Sequence, residues 1–102
     1  MSAPAYLSDL AKQIYEQTAE SFPDLESGDP DLLINYSRAT ALVREMEQRI
    51  ASEGLVVPNS RGNPSQHPLL NIQKGYMRTA SDLSAQIRKR FQVKQDSADP
   101  FA

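Results

Sequence analysis

Cysteine, histidine and grouped carboxylates carry most catalytic and metal-binding chemistry, and this chain offers little of it. It has no cysteine and a single histidine, His67. No second histidine and no spaced carboxylate group stands near it in the sequence, so no metal site is predicted. Pro68 follows directly, a pattern typical of a helix N-cap followed by proline at the first helical position. His67 is therefore expected to cap a helix.

Motifs for covalent and nucleotide chemistry are also missing from the sequence. There is no Gly-x-Ser-x-Gly elbow to expose a nucleophilic serine, and no Gly-x-x-x-x-Gly-Lys-Ser/Thr loop to hold a nucleotide phosphate. The sequence predicts a protein that is not an enzyme and has no cofactor. ATP hydrolysis, if the function involves it, is expected from another polypeptide.

Cations that can meet phosphate groups are the remaining candidates. Arg88, Lys89 and Arg90 are consecutive, and Lys94 stands four residues after Arg90. This cluster falls in the last turns of a predicted helix, where it can bind phosphates. Cations at a helix C-terminus also complement the helix dipole and are commonly just solvated. Both interpretations stay open for these four residues.

Three further cations lie outside that cluster. Arg61 stands between Ser60 and Gly62 in a predicted turn, where it can enter a groove of a partner or serve solubility alone. Lys74 and Arg78 are four residues apart and share a polar helix face with Asp82, which favours ordinary surface pairing. The full set of candidate phosphate contacts is Arg61, Lys74, Arg78, Arg88, Lys89, Arg90 and Lys94.

Charge is distributed unevenly although the net charge is only −2. Residues 1–54 hold 10 acidic and 4 basic side chains, a net of −6, whereas residues 55–102 hold 3 acidic and 7 basic ones, a net of +4. This asymmetry permits a polyanion partner on one face, or packing of the acidic half of one subunit against the basic half of another.

The elements that position these residues are helical. At 102 residues with 39% hydrophobic side chains and no tryptophan, the chain forms one domain with a lean core. No stretch of about 18 apolar residues is present, so no membrane span is predicted. The first residues show no signal-peptide pattern, which favours a cytosolic protein. Apolar spacing predicts a short amphipathic helix from about Ala5 to Glu20, ended by the segment 22–28, in which Gly28 is expected to adopt a left-handed turn.

Two long helices follow the short one. The first is expected from Pro30 to Ser52 with Asp29 as its N-cap, and the second from His67 and Pro68 to about Val93. Between them, Gly54 ends one helix and a β-hairpin turns around residues 59–63. The fold class is all-α: a long antiparallel helical hairpin with a small β-hairpin at its tip, residues 1–93 forming one domain and residues 94–102 a flexible tail.

Apolar stripes on both long helices exceed what one short helix can cover. We expect the surplus to contact neighbouring copies in an oligomer. The predicted interface residues are Leu32, Tyr36, Val43, Met46, Ile50, Ile72, Tyr76, Leu83 and Ile87.

The connector carries a family resemblance. Residues 53–57 read Glu-Gly-Leu-Val-Val, residues 62–64 read Gly-Asn-Pro, and residues 67–70 read His-Pro-Leu-Leu, set between two long helices. This order resembles the P27-like family of phage terminase small subunits, over about residues 24–93. The chain is shorter than many members, and only one helix precedes Asp29, so no separate helix-turn-helix domain fits there.

That resemblance implies a function that composition does not give. Similar proteins form rings that recognise the packaging start site on double-stranded viral DNA, recruit the large ATPase/nuclease subunit and regulate it, in the host cytoplasm. It also implies that the segment from Asp96 to Ala102 contacts the large subunit. The rival interpretation is a helical-hairpin protein adaptor or antitoxin-like binder with no DNA role.

Overall fold

The structure, a computed structural model, describes residues 3–94, which are mostly helical with one small two-stranded antiparallel sheet. Both features of the predicted fold class are confirmed. The predicted flexible tail, residues 94–102, lies outside the described residues except for Lys94. The elements in chain order are α1 (Asp9–Ser21), α2 (Leu25–Gly28), α3 (Pro30–Glu53), β1 (Val56–Pro58), β2 (Pro64–Gln66) and α4 (Leu69–Arg90).

The helix α1 begins later than predicted. Residues before it form a turn, in which the Leu7 N–H donates to the Pro4 carbonyl at 3.2 Å. Ser8 then caps the helix, because its Oγ accepts from the Ala11 N–H at 3.2 Å. The expected start at Ala5 was therefore wrong by four residues, since the apolar spacing of Tyr6 and Leu7 continues into a segment that is not helical.

The helix α3 has both of its predicted boundary signals. Asp29 Oδ1 accepts from the Leu32 N–H at 3.1 Å, and Pro30 occupies the first turn. At the other end, Gly54 has a φ of 90°, a conformation that side chains with a Cβ rarely adopt, and its N–H donates to the Ile50 carbonyl. Local chemistry thus fixes both ends of this 24-residue helix.

The short helix α2 was not predicted, and Gly28 within it has a different purpose from the expected left-handed turn. Its φ is not positive. A Cβ at this position would come 2.8 Å from Cε1 of Phe91. The glycine therefore lets the Phe91 ring, which follows α4, pack directly on α2. The backbone of Phe91 is extended, so α4 ends at Arg90 and not at the expected Val93.

Packing places α3 in the middle of the molecule, in contact with both α1 and α4. The helices α3 and α4 are antiparallel, since Glu53 meets His67 at one end and Asp29 meets Arg90 at the other. The hydrophobic core lies toward the second of these ends. Its most deeply buried apolar side chains are Phe22, Leu25, Leu33 and Ile87, each at most 1% exposed.

Several buried polar side chains form hydrogen bonds. Ser37 Oγ donates to the Leu33 carbonyl at 2.7 Å within α3. Gln73 is buried on α4, and its side-chain amide donates to the Val43 carbonyl of α3 at 3.4 Å. Burial, together with a hydrogen bond to Glu26, raises the pKa of Tyr15 to about 12, so this α1 side chain stays a neutral phenol. These bonds link α4 to α3 and α1 to α2.

Candidate nucleic-acid interface

The tip of the β-hairpin is a rigid turn that displays Arg61. Asn59 Oδ1 accepts from the N–H groups of Arg61, at 2.9 Å, and of Asn63, at 3.0 Å. Gly62 has a φ of 78° and donates its N–H to the Asn59 carbonyl. This side-chain bonding within the turn fixes the backbone at the tip. The Arg61 side chain is exposed and has no ion pair within residues 3–94.

The base of the hairpin is fastened by His67, which is 4% exposed. Its Nδ1 accepts from the Leu69 N–H at 3.1 Å, and its Nε2 lies 2.6 Å from Glu53 Oε1. Because Nδ1 is an acceptor, the proton of the neutral ring is on Nε2, which donates to the Glu53 carboxylate. The hydrogen bond from His67, with a further contribution from Arg49, holds the pKa of Glu53 below its usual range.

Three of the five cations of α4 lie on one exposed side of the helix. Lys74, Arg78 and Lys89 are all exposed, and at 100° per residue they lie within about 60° of one another around the helix axis. None of the three has an ion pair within residues 3–94, and the pairing of Arg78 with Asp82 expected from their spacing is not formed. We call Lys74, Arg78 and Lys89 the basic sector of α4.

The three consecutive cations at the end of α4, Arg88, Lys89 and Arg90, make different contacts. Arg90 Nη1 donates to Asp29 Oδ2 at 2.7 Å, and its guanidinium lies 5.3 Å from the centroid of the Phe91 ring. This contact with Arg90, followed by the Leu32 N–H bond, holds the pKa of Asp29 below its usual range. Arg90 therefore stabilises the fold, whereas Lys89 belongs to the basic sector.

Two other predicted DNA contacts lie beside the same end of α4. Arg88 lines a surface cavity with Phe22, Phe91 and Val93. The backbone N–H of Lys94 donates to the Ser21 carbonyl at 2.7 Å, which fastens the chain after α4 to the end of α1. The structure thus does not bring Arg61, Lys74, Arg78, Arg88, Lys89, Arg90 and Lys94 into a single patch.

The predicted interface residues divide by burial. Leu32, Tyr36, Ile50 and Ile87 lie inside the subunit, so in this conformation they pack within one copy. The side chains that still offer surface are those that are half-buried or exposed: Val43, Met46, Leu83, Ile72 and Tyr76.

A shallow groove runs across the face that contains the exposed members of this set. Three cavities, of about 210, 340 and 260 Å³, adjoin one another there. The first two share Arg38 and Leu42, and the last two share Tyr76 and Thr79. The groove therefore extends from the start of α1 over the middle of α3 to the first half of α4.

Comparison with known families identifies the chain's relatives. Residues 11–88 match the model of the family described as phage terminase, small subunit. The chain belongs to this family. The match begins within α1 and ends in the last turn of α4, so it includes the β-hairpin, most of the helical hairpin and two of the three residues of the basic sector, Lys74 and Arg78. No curated protein and no solved structure matches the chain significantly.

Two further findings describe this terminase small subunit. Among residues 3–94, no group of three or more histidine, cysteine or carboxylate side chains could hold a metal ion. In the same part of the chain, every helix is too short or too polar to cross a membrane. Membership of the family supports a general role in phage DNA packaging.

Sequence reasoning missed the Glu53–His67 contact. The two residues are 14 positions apart and looked unrelated. The signal was in the hairpin: its register pairs Val56 with Gln66, which places Leu55 opposite His67. Because Leu55 and His67 are the residues next to the paired strands on the helix side, their pairing brings the last turn of α3 next to the first turn of α4.

Proposed function

We propose that this chain is the non-catalytic DNA-recognition and adaptor component of a phage packaging motor, of the P27-like group within its family. The connector between α3 and α4 supports the group, since its Gly-Leu, hairpin and His-Pro order is what the P27-like members share with this sequence. The family is generally non-catalytic, which supports an adaptor role. Such a component acts in the host cytoplasm, where viral DNA is packaged.

The basic sector of α4 is the observation that carries the DNA role. Lys74, Arg78 and Lys89 point away from α3 on one exposed side, with no ion pair within residues 3–94. Unpaired cations aligned along a helix can each neutralise a phosphate and release a counterion. Phosphate contacts of this kind position a protein on DNA without reading its sequence. Arg61 at the hairpin tip adds a separate contact.

A single subunit has too few cations for tight binding, because its net charge is −2. We propose that the chain assembles into a ring, which repeats the basic sector around the DNA. The exposed Ile72 and Tyr76, with the half-buried Val43, Met46 and Leu83, supply apolar surface for a neighbouring copy. Light scattering on a size-exclusion column tests this: a closed oligomer of many copies is expected, and a monomer contradicts it.

The DNA role is tested by comparing two double variants that each lose two positive charges, one inside and one outside the basic sector. Lys74→Ala/Arg78→Ala is compared with Lys12→Ala/Arg44→Ala, which removes two cations from α1 and α3. Fluorescence anisotropy with a double-stranded DNA fragment, over a salt series, measures both affinity and its salt dependence. The α4 variant should lower the magnitude of the salt slope by about 2 for each subunit that contacts DNA, while the control stays close to wild type.

Two results would contradict this placement. Equal losses in the two double variants would mean that binding follows total charge and not the basic sector. Absence of DNA binding even at low salt would favour the rival function, a helical-hairpin adaptor for protein partners, whose protein binding should change little with salt. The exposed apolar groove is the feature that a pure protein adaptor would use.

Recruitment of the large subunit is the second half of the proposed role. The segment from Asp96 to Ala102 lies outside the described residues, and it is proposed as the contact for the large ATPase/nuclease subunit. Deleting it should abolish co-purification with the large subunit while DNA binding by the basic sector persists. Retention of the large subunit by the shortened chain would move the contact elsewhere.

A further inference from the structure

His67 is the one buried histidine, and all of its polar groups are engaged. Its ring joins Glu53 of α3 to the Leu69 N–H of α4, and its own N–H donates to the Leu55 carbonyl at 2.8 Å. One residue thus connects the end of α3, the start of α4 and Leu55, the residue before β1. A cap for α4 alone would need only the bond to Leu69.

Apolar burial does not hold the β-hairpin in place. Leu55 and Val56 are each 64% exposed, and all of β1 and β2 is exposed or half-buried. A two-stranded hairpin is marginally stable in water without further packing. The orientation of this hairpin relative to the helices therefore depends on the polar bonds at its base, which converge on His67.

The bonds continue without interruption from His67 to the tip. The His67 N–H meets the Leu55 carbonyl, Val57 pairs with Ser65, and the Asn59 N–H donates to the Asn63 carbonyl at 2.8 Å. Asn59 Oδ1 then fixes the backbone at Arg61. The direction of Arg61 is consequently set by the way the base of the hairpin is attached to α3.

We propose that His67 is a positioning residue whose bond to Glu53 fixes the direction in which the β-hairpin presents Arg61 to the phosphates of double-stranded DNA. This inference rests on the proposed DNA-binding function. It assigns the two ring nitrogens different tasks. Nδ1 accepts from the Leu69 N–H, next to the N-cap Pro68 at the start of α4, and contributes to stability, whereas Nε2 ties the hairpin to α3 and contributes to binding through Arg61. A preorganised contact costs less entropy on binding than a mobile one.

Two conservative variants separate these tasks. In His67→Asn, the side-chain oxygen can stand where Nδ1 stands and keep the Leu69 cap, but it is too short to reach Glu53. In His67→Gln, the longer side chain can place its amide near Nε2 and keep the bond to Glu53, but it loses the cap. DNA affinity should therefore fall in His67→Asn and stay near wild type in His67→Gln, in the opposite order to their helix-capping ability.

A double-mutant cycle with Arg61→Ala decides whether His67 acts through the tip. Affinity for a double-stranded DNA fragment is measured by fluorescence anisotropy for wild type, His67→Asn, Arg61→Ala and the double variant. We expect His67→Asn to weaken binding by a factor of about 3 or more when Arg61 is present, and to have no effect in the Arg61→Ala background. A merely structural role for His67 would weaken binding equally in both backgrounds.

The outcomes distinguish this inference from the proposed function. If Arg61→Ala leaves affinity unchanged, Arg61 is not a DNA contact and the positioning role is overturned, while binding by Lys74, Arg78 and Lys89 still stands on its own test. If Arg61→Ala weakens binding but the effects of the two substitutions multiply, the tip binds DNA without help from His67. Glu53→Ala should reproduce the coupling seen with His67→Asn, and its failure to do so would also contradict the proposal.

Discussion

The two ends of the helical hairpin are stabilised in different ways. At the core end, where Asp29 meets Arg90, the side chains of Phe22, Leu25 and Ile87 are almost completely buried. At the hairpin end, where Glu53 meets His67, large apolar side chains such as Leu55 and Val56 are exposed. Apolar burial therefore carries the stability of one end, and directed polar bonds determine the geometry of the other.

This contrast indicates where each kind of function belongs. A core that is fully packed offers little to a partner, because its side chains are already in contact. The hairpin end offers Arg61 and the exposed side chains Ile72 and Tyr76 nearby on α4. Substitutions of buried apolar side chains at the core end should therefore change stability, and those of exposed side chains at the hairpin end should chiefly change binding and assembly.

The largest expected effect tests this contrast within one helix. Ile87→Ala removes a side chain with no exposed surface and should lower the free energy of unfolding by about 2–5 kcal/mol, since it leaves a cavity. Ile72→Ala makes the same chemical change on α4 where the side chain is 49% exposed, and should shift it by less than about 0.5 kcal/mol in the isolated subunit. Urea denaturation of both variants measures the difference.

The same pair of variants also reports on assembly. Ile72→Ala should reduce the oligomer mass measured by light scattering, because it removes surface that we assign to a neighbouring copy. Equal destabilisation by the two substitutions would mean that the hairpin end is packed as tightly as the core end, and the proposed difference between the two ends would be wrong.

Substituting either of two helical glycines by alanine should change the free energy of unfolding by a smaller amount, and the two changes should have opposite signs. Gly28→Ala places a Cβ 2.8 Å from the Phe91 ring, so the ring must move and the free energy of unfolding should fall by about 1 kcal/mol. Gly75→Ala on α4 has no atom within 4 Å and should raise it by about 0.5–1 kcal/mol through helix propensity. Thermal or urea unfolding measures both changes. If both substitutions stabilise the protein, the packing of the Phe91 ring on α2 does not contribute to stability.

The sequence predicted the parts of the fold that depend on local chemistry. Asp29, Pro30 and Gly54 bounded α3 correctly because caps and glycine conformations act over a few residues. The start of α1 and the purpose of Gly28 were missed, since the first depends on a competing turn at Pro4 and the second on Phe91, which is distant in the sequence.

The candidate site was less predictable for the same reason. Consecutive cations looked like one cluster, yet Arg90 bonds to Asp29 across 61 positions, a contact that only the antiparallel packing of α3 and α4 creates. Apolar periodicity on α4 identified Ile72 and Ile87 alike, but only the packing of α3 against α4 decides that one is exposed and the other buried.

The smallest expected effect is the contribution of the two ion pairs, Asp29–Arg90 and Glu53–His67, to the free energy of unfolding at acid pH. Asp29 and Glu53 both have a pKa below the ordinary value in the folded protein, chiefly through the hydrogen bonds from Arg90 and His67. The folded state thus binds fewer protons than the unfolded state at these sites. Their contribution is complete above the unfolded pKa values, about 4, and is lost as pH falls through the lower folded values.

Replacing each carboxylate by its neutral amide removes the pH dependence of stability at one end of the helical hairpin without affecting the other end. With Asp29→Asn, the free energy of unfolding should fall less steeply between about pH 5 and pH 3 than in wild type, and Glu53→Gln should flatten the same limb at the hairpin end. Asp82→Asn serves as the control, because Asp82 is exposed with no ion pair within residues 3–94. Urea titrations at a series of pH values measure each slope. An unchanged slope in Asp29→Asn would mean that Arg90 is not held by Asp29 in solution, and Arg90 would then be available to phosphate like Lys89.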